Sequence, residues 1–490
     1  MRGHVGSDAR GWSLTGFGLR PLSAGLALAL ADWCAVFACV ATVWWLRDGP
    51  LRQFLPSLGP LDPLPQLITR LYLLAPWSLA LAEARLYTRR TLFWDETRRV
   101  VYACTLAALV AVALSFAEKR ATTTSRLVIG GVWLASLVVV PAVRLRVKRL
   151  LAAVGLWRKR VLVVGAGETG SQVVQRIRQN PDLGYEPVAF VDDDPAKIGR
   201  PQLGLPVRGP LASIPQAIAD LEVEEVVVAI PELPRERLFH LIAMCEGRVQ
   251  SIRLVPDLFG LASVGVEAED LDGVLLLHMR WNLAKPWNLF VKRVFDLAAA
   301  SAVAVLLAPL LAIAVIAICL DSPGPVFFVQ ERIGPGRRRF RCVKFRTMYA
   351  DNEARLKSHL AVDDGARTEW EQFAKLKSLD PRVTRVGRLL RRSSLDEMPQ
   401  LINVMRREMS LVGPRPYLPA EAERMGDLAE TILKAPPGMT GLWQVSGRSN
   451  LTFEQRIRLD EYYVRNWSLW MDVVVLLKTV GAVLRRDGAY

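Results

Sequence analysis

Leu297-Ala-Ala-Ala-Ser-Ala-Val-Ala-Val-Leu-Leu-Ala-Pro-Leu-Leu-Ala-Ile-Ala-Val-Ile-Ala-Ile-Cys-Leu320 is a run of apolar and small residues with one proline, Pro309, in its middle. Its roughly 24 residues are enough to cross a bilayer. Two features oppose a simple crossing. Lys285, Lys292 and Arg293 precede the run and seven Lys or Arg residues lie from Arg332 to Arg346 after it, and basic flanks stay on the cytoplasmic face. Pro309 deletes one backbone hydrogen bond and clashes with the carbonyl four residues back. The sequence therefore predicts a re-entrant helix over 290–320, broken at Ala308 and Pro309, that enters the membrane lipids and returns to the side it left. Trp281 and Trp287, close to the same lysines, suit a membrane interface.

The composition points the same way. The chain has 490 residues, 51% of them hydrophobic, yet a net charge of +15. That combination fits a membrane protein with basic cytoplasmic loops. Nucleic-acid binding is the competing reading of the charge, but no zinc-finger spacing or RNA-binding signature occurs, so no nucleic acid is expected as partner. The cysteines (Cys34, Cys39, Cys104, Cys245, Cys319, Cys342) are scattered without a C-x-x-C pair, which suits a reducing compartment. His4, His240, His278 and His359 are far apart and give no zinc-ligand spacing.

Toward the N-terminus lie four apolar segments, about Leu22 to Leu46, Leu67 to Tyr87, Val100 to Phe116 and Leu127 to Val143. No small-residue cleavage site follows the first, which reads as an anchor. Arg and Lys crowd the start, the second loop (Arg85, Arg89, Arg90, Arg98, Arg99) and the stretch after the fourth segment (Arg144, Arg146, Lys148, Arg149). The positive-inside rule then gives four spans with both ends in the cytoplasm, a transmembrane α-helical bundle over 1–150. Asp32, Arg70 and Glu83 interrupt the first two segments and are expected to pair within the bundle or sit at its edges.

Residues 151–280 read as a Rossmann-like α/β domain. A strand over Arg160 to Val164 runs into Gly165-Ala-Gly-Glu-Thr-Gly170, a helix continues to about Gln179, and a second strand over Pro187 to Val191 ends in Asp192. Further strands are expected over Glu225 to Ile230 and Ser251 to Val255. This is the dinucleotide fingerprint, which makes Gly165, Gly167 and Gly170 candidate nucleotide-binding positions. A purely structural domain would keep the same glycines for its turn and packing. A nucleotide-sugar-modifying oxidoreductase is the runner-up function, and it lacks a downstream Tyr-x-x-x-Lys for proton transfer. The domain is read as regulatory or as a platform for a homodimer, the commonest symmetric assembly.

Beyond the apolar run, a charged helical segment over Asp351 to Asp380 leads to Ser394-Leu-Asp-Glu-Met-Pro-Gln-Leu-Ile-Asn403. Ser394 and Glu397 fit a capping box. Alternatively Asp396 and Glu397, between Arg391–Arg392 and Val412-Gly-Pro-Arg-Pro416, suit a site that handles magnesium and phosphate. Helical neighbours point about 100° apart, so one carboxylate can attack phosphorus while the other holds the metal. The basic run is a solvated face or a headgroup patch, and its Lys344-Phe-Arg346-Thr-Met348 is within reach of the same site. The end of the chain, with Trp467, Trp470 and Asp472, has an amphipathic pattern that suits the bilayer surface.

These motifs carry a resemblance. Lys292-Arg293 with Asp296, the KFRTM run at Lys344, SLDEMPQL, SLVGPRP ending at Pro416 and PGMTGLWQVSGR ending at Arg448 together resemble the bacterial polyprenyl-phosphate phosphoglycosyl transferases with a monotopic, mostly α-helical catalytic domain, here 281–490. Four spans and a Rossmann-like middle resemble the long form of that family, and Asn282-Leu-Ala-Lys285 with Val483-Leu-Arg-Arg-Asp-Gly-Ala-Tyr490 its galactose-transferring members. The resemblance implies transfer of galactose-1-phosphate from a UDP-sugar donor to undecaprenyl phosphate at the bacterial inner membrane, with release of UMP and Mg2+ as cofactor. It implies Asp396 as nucleophile and Glu397 as magnesium ligand. Arg391 and Arg415, with Lys344 and Arg346, would bind phosphates, Arg448 would contact the uridine end and Asp472 would support the substrate site. UDP-glucose and UDP-N-acetylhexosamines are the alternative donors. The family often has Ser where Ala308 stands, so the hydroxyl that would cap groups freed by Pro309 is missing.

Overall fold

The computed structural model describes residues 20–56, 74–117, 126–256, 266–272, 274–279, 282–373, 380–446 and 451–484. The chain divides into two compact units, Met1–Asp257 and Leu258–Tyr490. The division at 257 differs from the boundaries expected at 150 and 280, because the apolar helices and the Rossmann-like sheet pack as one unit.

In the first unit the helices α1 (Arg20–Leu46), α2 (Ala75–Glu83), α3 (Phe93–Ala117) and α4 (Arg126–Ala153) form the bundle. Ser23–Phe54, Phe93–Phe116 and Leu127–Ala153 are long and apolar enough to cross a membrane. Of the expected second span only Ala75–Glu83 and the turn after it are described; 57–73, with Arg70, lie outside the described residues. Small residues line the helix contacts, among them Ala35, Cys39, Ala103, Cys104, Ala107 and Ala111, as expected where backbones must approach closely. The fourth helix outlasts its apolar stretch by almost three turns. Arg144 and Lys148, read as part of an exposed basic flank, instead turn inward. Arg144 pairs with Asp32 and, through Nε at 2.7 Å, with Glu96, while Lys148 Nζ lies 2.5 Å from the other Glu96 oxygen. Asp32 is thus paired within the bundle, as a charge in an apolar bundle must be.

The sheet in this unit comprises β1 (Lys159–Val164), β2 (Tyr185–Val191), β3 (Glu225–Val228) and β4 (Ser251–Leu254), all parallel, in the order β2-β1-β3-β4. Strands buried on both faces must be apolar at every position. Leu162, Val164, Val226 and Val228 accordingly enter one core, and Val161, Val163 and Val227 the other. Helix α5 (Glu168–Gln179) returns the chain from β1 to β2. Gly165 has φ +103, and a Cβ there would lie 2.7 Å from Ile230 Cγ1; a Cβ on Gly170 would strike the Gly165 carbonyl, whereas Gly167 faces open space. The first and third glycines therefore serve turn and packing. Asp192 Oδ2 accepts the Ala166 backbone N–H at 2.7 Å, so the acidic residue after β2 holds the glycine loop itself. Arg90, after α2, donates to the carbonyls of Leu183 and Gly184 at 3.1 and 2.6 Å and so ties the bundle to the sheet.

The second unit begins with an antiparallel hairpin, β5 (Val266–Leu271) and β6 (Val274–Met279), followed by the long helix α6 (Pro286–Asp321). The predicted break is not seen. The helix runs through Ala308 and Pro309 without interruption, because proline forfeits a single bond and its alanine and leucine neighbours are strong helix formers. Lys292, Asp296 and Ala300 are buried on one face, as are Ala314 and Ile318 further on, and Val305, Leu306, Leu310, Ile313, Ile316 and Leu320 are exposed. The basic run that follows forms the second strand of another hairpin, β7 (Phe327–Ile333) with β8 (Arg339–Phe345). The charged segment resolves into Asn352–Val362 and Asp364–Phe373. Helices α7 (Arg385–Arg392) and α8 (Gln400–Met405) flank the carboxylate pair. The short parallel strands β9 (Ser410–Val412) and β10 (Gly438–Thr440) lie behind them. Helices α9 (Phe453–Asn466) and α10 (Leu469–Leu484) complete the unit.

Candidate active site

Thr384 caps α7 by accepting Gly387 N–H on Oγ1 at 2.9 Å. After Arg392 the chain reverses through Ser394, which has a left-handed φ of 56°, into the single turn Leu395–Glu397. The expected capping box does not form, because Ser394 makes no side-chain cap bond. Glu397 looks elsewhere: its Oε1 accepts Lys344 Nζ from β8 at 2.6 Å. The pair thus stands on a reversal between two helices, with both carboxylates half-buried. Burial, then the Glu397 charge, pushes the Asp396 carboxyl up to about 6, against the opposing pull of Lys344 and Arg391. At neutral pH Asp396 is still chiefly ionised. Arg391 is fixed by Nε donating to Thr347 Oγ1 at 2.9 Å.

Asn403, the last residue of the stretch beginning at Ser394, was not singled out in the sequence. It is fully buried. Its Oδ1 accepts Val343 N–H at 3.1 Å and its Nδ2 donates to Arg341 O at 2.7 Å. An unpaired amide would be costly there, so Asn403 rivets α8 to the strand that carries Lys344. A side-chain amide in an otherwise apolar helical stretch was the available signal.

Two residues expected at substrate do other work. The Arg346 guanidinium is buried and donates to Ser322 O at 2.6 Å, Ser322 Oγ at 3.1 Å and Pro323 O at 2.9 Å. It closes the C-terminal end of α6, where orphan carbonyls need donors. Asp472, expected to support the substrate site, is fully buried. It accepts Lys292 Nζ at 2.7 Å, Tyr463 O–H at 2.6 Å and Trp467 Nε1–H at 3.0 Å. Lys292 also donates to Val412 O at 3.0 Å, and Asp296 accepts Ser410 Oγ–H at 2.7 Å. This internal network joins α6, β9 and α10 from behind.

Behind the pair, Gly413 and Gly438 let β9 and β10 cross closely, with Gly413 N–H donating to Thr440 O at 2.9 Å and Gly438 N–H to Pro414 O at 2.8 Å. The turn then presents Arg415, whose backbone N–H is held by Asp460 Oδ2 at 3.1 Å. Burial, and next the Arg415 charge, lower Arg332 from its ordinary value, while Glu397 acts on it in the opposite sense. The Arg332 guanidinium is itself held by Pro416 O at 3.0 Å and Gln330 Oε1 at 2.6 Å. Arg448 lies outside the described residues.

The comparisons agree with this assembly. The model of the bacterial sugar transferase family matches residues 287–486, and that of a CoA-binding domain matches 86–256. The UDP-galactose-lipid carrier transferase of Erwinia amylovora is 38% identical over 83% of this chain and 84% of its own. The undecaprenyl-phosphate galactose phosphotransferase of Salmonella typhimurium is 36% identical over the same shares. A UDP-glucose:undecaprenyl-phosphate glucose-1-phosphate transferase of Escherichia coli is 30% identical over 69% of this chain and 70% of its own. With a half-buried carboxylate pair among cations at one end of the chain and apolar helices and a parallel sheet at the other, this chain belongs to the bacterial sugar transferases, in the long form that acts on polyprenyl phosphate.

Proposed function

We propose that the enzyme transfers galactose-1-phosphate from UDP-galactose to undecaprenyl phosphate through a covalent intermediate on Asp396. The observation that carries this reading is a half-buried carboxylate pair, Asp396 and Glu397, with Lys344 Nζ bonded to Glu397 Oε1 at 2.6 Å and Arg391 held in the turn before it. An Asp396 oxygen attacks the phosphorus that bears the sugar. The bond from that phosphorus to the bridging oxygen breaks, and UMP leaves with the electron pair. A phosphate oxygen of undecaprenyl phosphate then attacks the same phosphorus, Asp396 departs as carboxylate, and a sugar diphospholipid forms. Carboxylates act as covalent nucleophiles in phosphoryl transfer, and flanking cations offset the charge that develops.

The donor set suits magnesium. Among the described residues no cluster of three or more His, Cys, Asp or Glu gathers, but magnesium takes one or two carboxylates and completes its shell with water and substrate phosphate. Glu397 would hold it, leaving Asp396 free to attack, and the ion would neutralise charge on the donor diphosphate. Lys344 holds Glu397 in place for that role.

Galactose is favoured because relatives named for it align over 83% of this chain at 36–38% identity, against 30–32% over 66–69% for those named for glucose. The re-entrant reading of α6 is supported by its anchoring. Near one end Lys292 and Arg293 donate to Val412 O and Met405 O, and at the other Asp321 accepts Val386 N–H at 2.9 Å. A helix that crossed the bilayer would carry its ends to opposite sides, yet both are bonded to elements of one unit. The exposed apolar middle would then lie in one leaflet of the inner membrane, with the carboxylate pair on the cytoplasmic side.

The deciding experiment measures UMP release across a panel of UDP-sugars with undecaprenyl phosphate, and in parallel incubates enzyme with labelled donor and no lipid. Galactose-dependent turnover and a phospho-sugar on the peptide containing Asp396 are expected. Turnover without any adduct would overturn the covalent step.

A further inference from the structure

Arg415 has a companion that neither the motifs nor the relatives point to. The Trp443 ring, in the segment after β10, lies 5.8 Å from Arg415 Cζ and 5.1 Å from Arg456 Cζ. Arg456 belongs to the first turn of α9 and stands four residues before Asp460. Residues four apart share a helix face. The same face therefore presents Arg456 and, one turn on, the carboxylate that holds the Arg415 amide and accepts Tyr417 O–H at 2.6 Å. Helix α9 thus fixes one guanidinium directly and the other through its backbone.

Several cations of this unit are held by acids. Arg382 is paired with Asp380, Arg465 with Glu461, Lys292 with Asp472 and Lys344 with Glu397, each within 2.7 Å, and Arg332 lies 3.8 Å from Glu421. Among the described residues no acid pairs with Arg415 or Arg456. The only side-chain bond of Arg456 is from Nε to Leu451 O at 3.1 Å, which leaves its two terminal nitrogens uncommitted there. Trp443 is 8% exposed, and its Nε1–H is buried without an acceptor among the described residues. A buried donor left unsatisfied is costly. Two half-buried like charges sharing one ring repel in a medium of low permittivity. Donors outnumber acceptors here, since the nearby Asp460 already serves the Arg415 N–H and the Tyr417 O–H, and this excess calls for a ligand rich in acceptors and negative charge.

We propose that Arg456, with Arg415 and the indole N–H of Trp443, binds the diphosphate of the nucleotide donor. The inference rests on the transfer reaction proposed above and assigns one more residue to its donor half. A planar guanidinium suits phosphate oxygens in pairs.

The test uses the full-length enzyme in nanodiscs, with Arg456→Gln and Arg456→Lys. Loss of a charged hydrogen-bonding partner is expected to raise KM for the UDP-sugar and the inhibition constant of UMP by about ten-fold or more in the glutamine variant. The lysine variant should fall between, since it keeps the charge and loses the fork. KM for undecaprenyl phosphate should stay within two-fold of the unaltered enzyme. Unchanged donor KM and UMP inhibition would overturn the proposal, and so would a parallel rise in KM for the lipid, which would assign Arg456 to the acceptor. If the glutamine variant does not fold, the lysine variant decides by the same two constants. An unaltered enzyme that releases UMP from no UDP-sugar overturns the reaction reading and this inference with it. Normal turnover with unshifted donor constants in the variants overturns this inference alone.

Discussion

Replacing Lys292 with methionine removes the cation at the centre of the buried network while nearly keeping its volume. Lys292 and Asp472 are 2% and 0% exposed, so the carboxylate left behind cannot be rehydrated without moving α6 or α10. Breaking a buried pair by removing one partner costs about 3–5 kcal/mol. Asp472 keeps its bonds from Tyr463 and Trp467, so a loss near the lower end, about 3 kcal/mol, is expected. For a cooperative unit of this size that corresponds to a fall in Tm of about 6–12 °C. Thermal unfolding of detergent-solubilised enzyme, followed by tryptophan fluorescence, measures it. The informative partner is the double replacement Lys292→Met with Asp472→Leu, which removes this pair but leaves Asp296, 3.7 Å from Lys292 Nζ, and should recover part of the loss, because replacing a buried ion pair by apolar side chains is often neutral. A double variant as unstable as the sum of the two single ones would refute the argument that the unpaired charge, and not lost packing, is responsible. An unchanged Tm for Lys292→Met would refute it more simply.

Asp396→Asn should abolish transfer and the phospho-sugar adduct while leaving yield and Tm close to those of the unaltered enzyme; residual turnover above about a thousandth of normal contradicts a nucleophilic role. Pro309→Leu should restore the backbone bond that Pro309 forfeits, stiffen α6 toward a full crossing and cost activity, and a cysteine placed just after Pro325 should then label from the periplasmic side, whereas in the unaltered helix it should label only from the cytoplasm. Gly438→Ala places a methyl against the backbone of Gly413 and Thr440, which neither partner can yield cheaply, so a loss of about 1–3 kcal/mol is expected by thermal unfolding. Burial pushes the Asp460 carboxyl up to about 7, above its unfolded value near 4. The folded state therefore binds more protons between those values, and the stability this contributes is full below about 4 and is lost as pH rises through about 7. Asp460→Asn should flatten that part of the Tm–pH curve, and an unaltered slope would show that another group sets it.

Much of the architecture could be read from local pattern. The glycine loop, the four parallel strands and the apolar helices are encoded in contiguous runs whose period and length suffice. The carboxylate pair could also be placed, because Asp396, Glu397 and Arg391 are neighbours in sequence. What could not be read was the partner of each isolated charge. Lys292 and Asp472 stand 180 residues apart, and nothing near Asp472 tells whether it faces a ligand or a lysine. Arg346 looked like a phosphate binder because it belongs to a basic run, yet an arginine near a helix end can equally satisfy carbonyls, and the turn at Ser322 and Pro323 supplies them. Ser394 matched the spacing of a cap, but the left-handed backbone it adopts takes its hydroxyl out of reach, a conformation few non-glycine residues favour. Arg144 and Lys148 followed the charge rule for membrane flanks until Asp32 and Glu96 drew them inward.

The hairpin strand β8 joins the two ends of this chemistry. Successive residues of a strand face opposite ways, and here Lys344 holds Glu397 while the next residue, Phe345, packs with Ala314 and Ile318 on the far half of α6. The supports of the long apolar helix and of the Glu397 carboxylate are thus one peptide bond apart. With α6 seated in the bilayer as proposed, a tilt or change of its depth would reach the active site through this seesaw, and the thickness and packing of the surrounding lipid would become part of what sets the catalytic geometry.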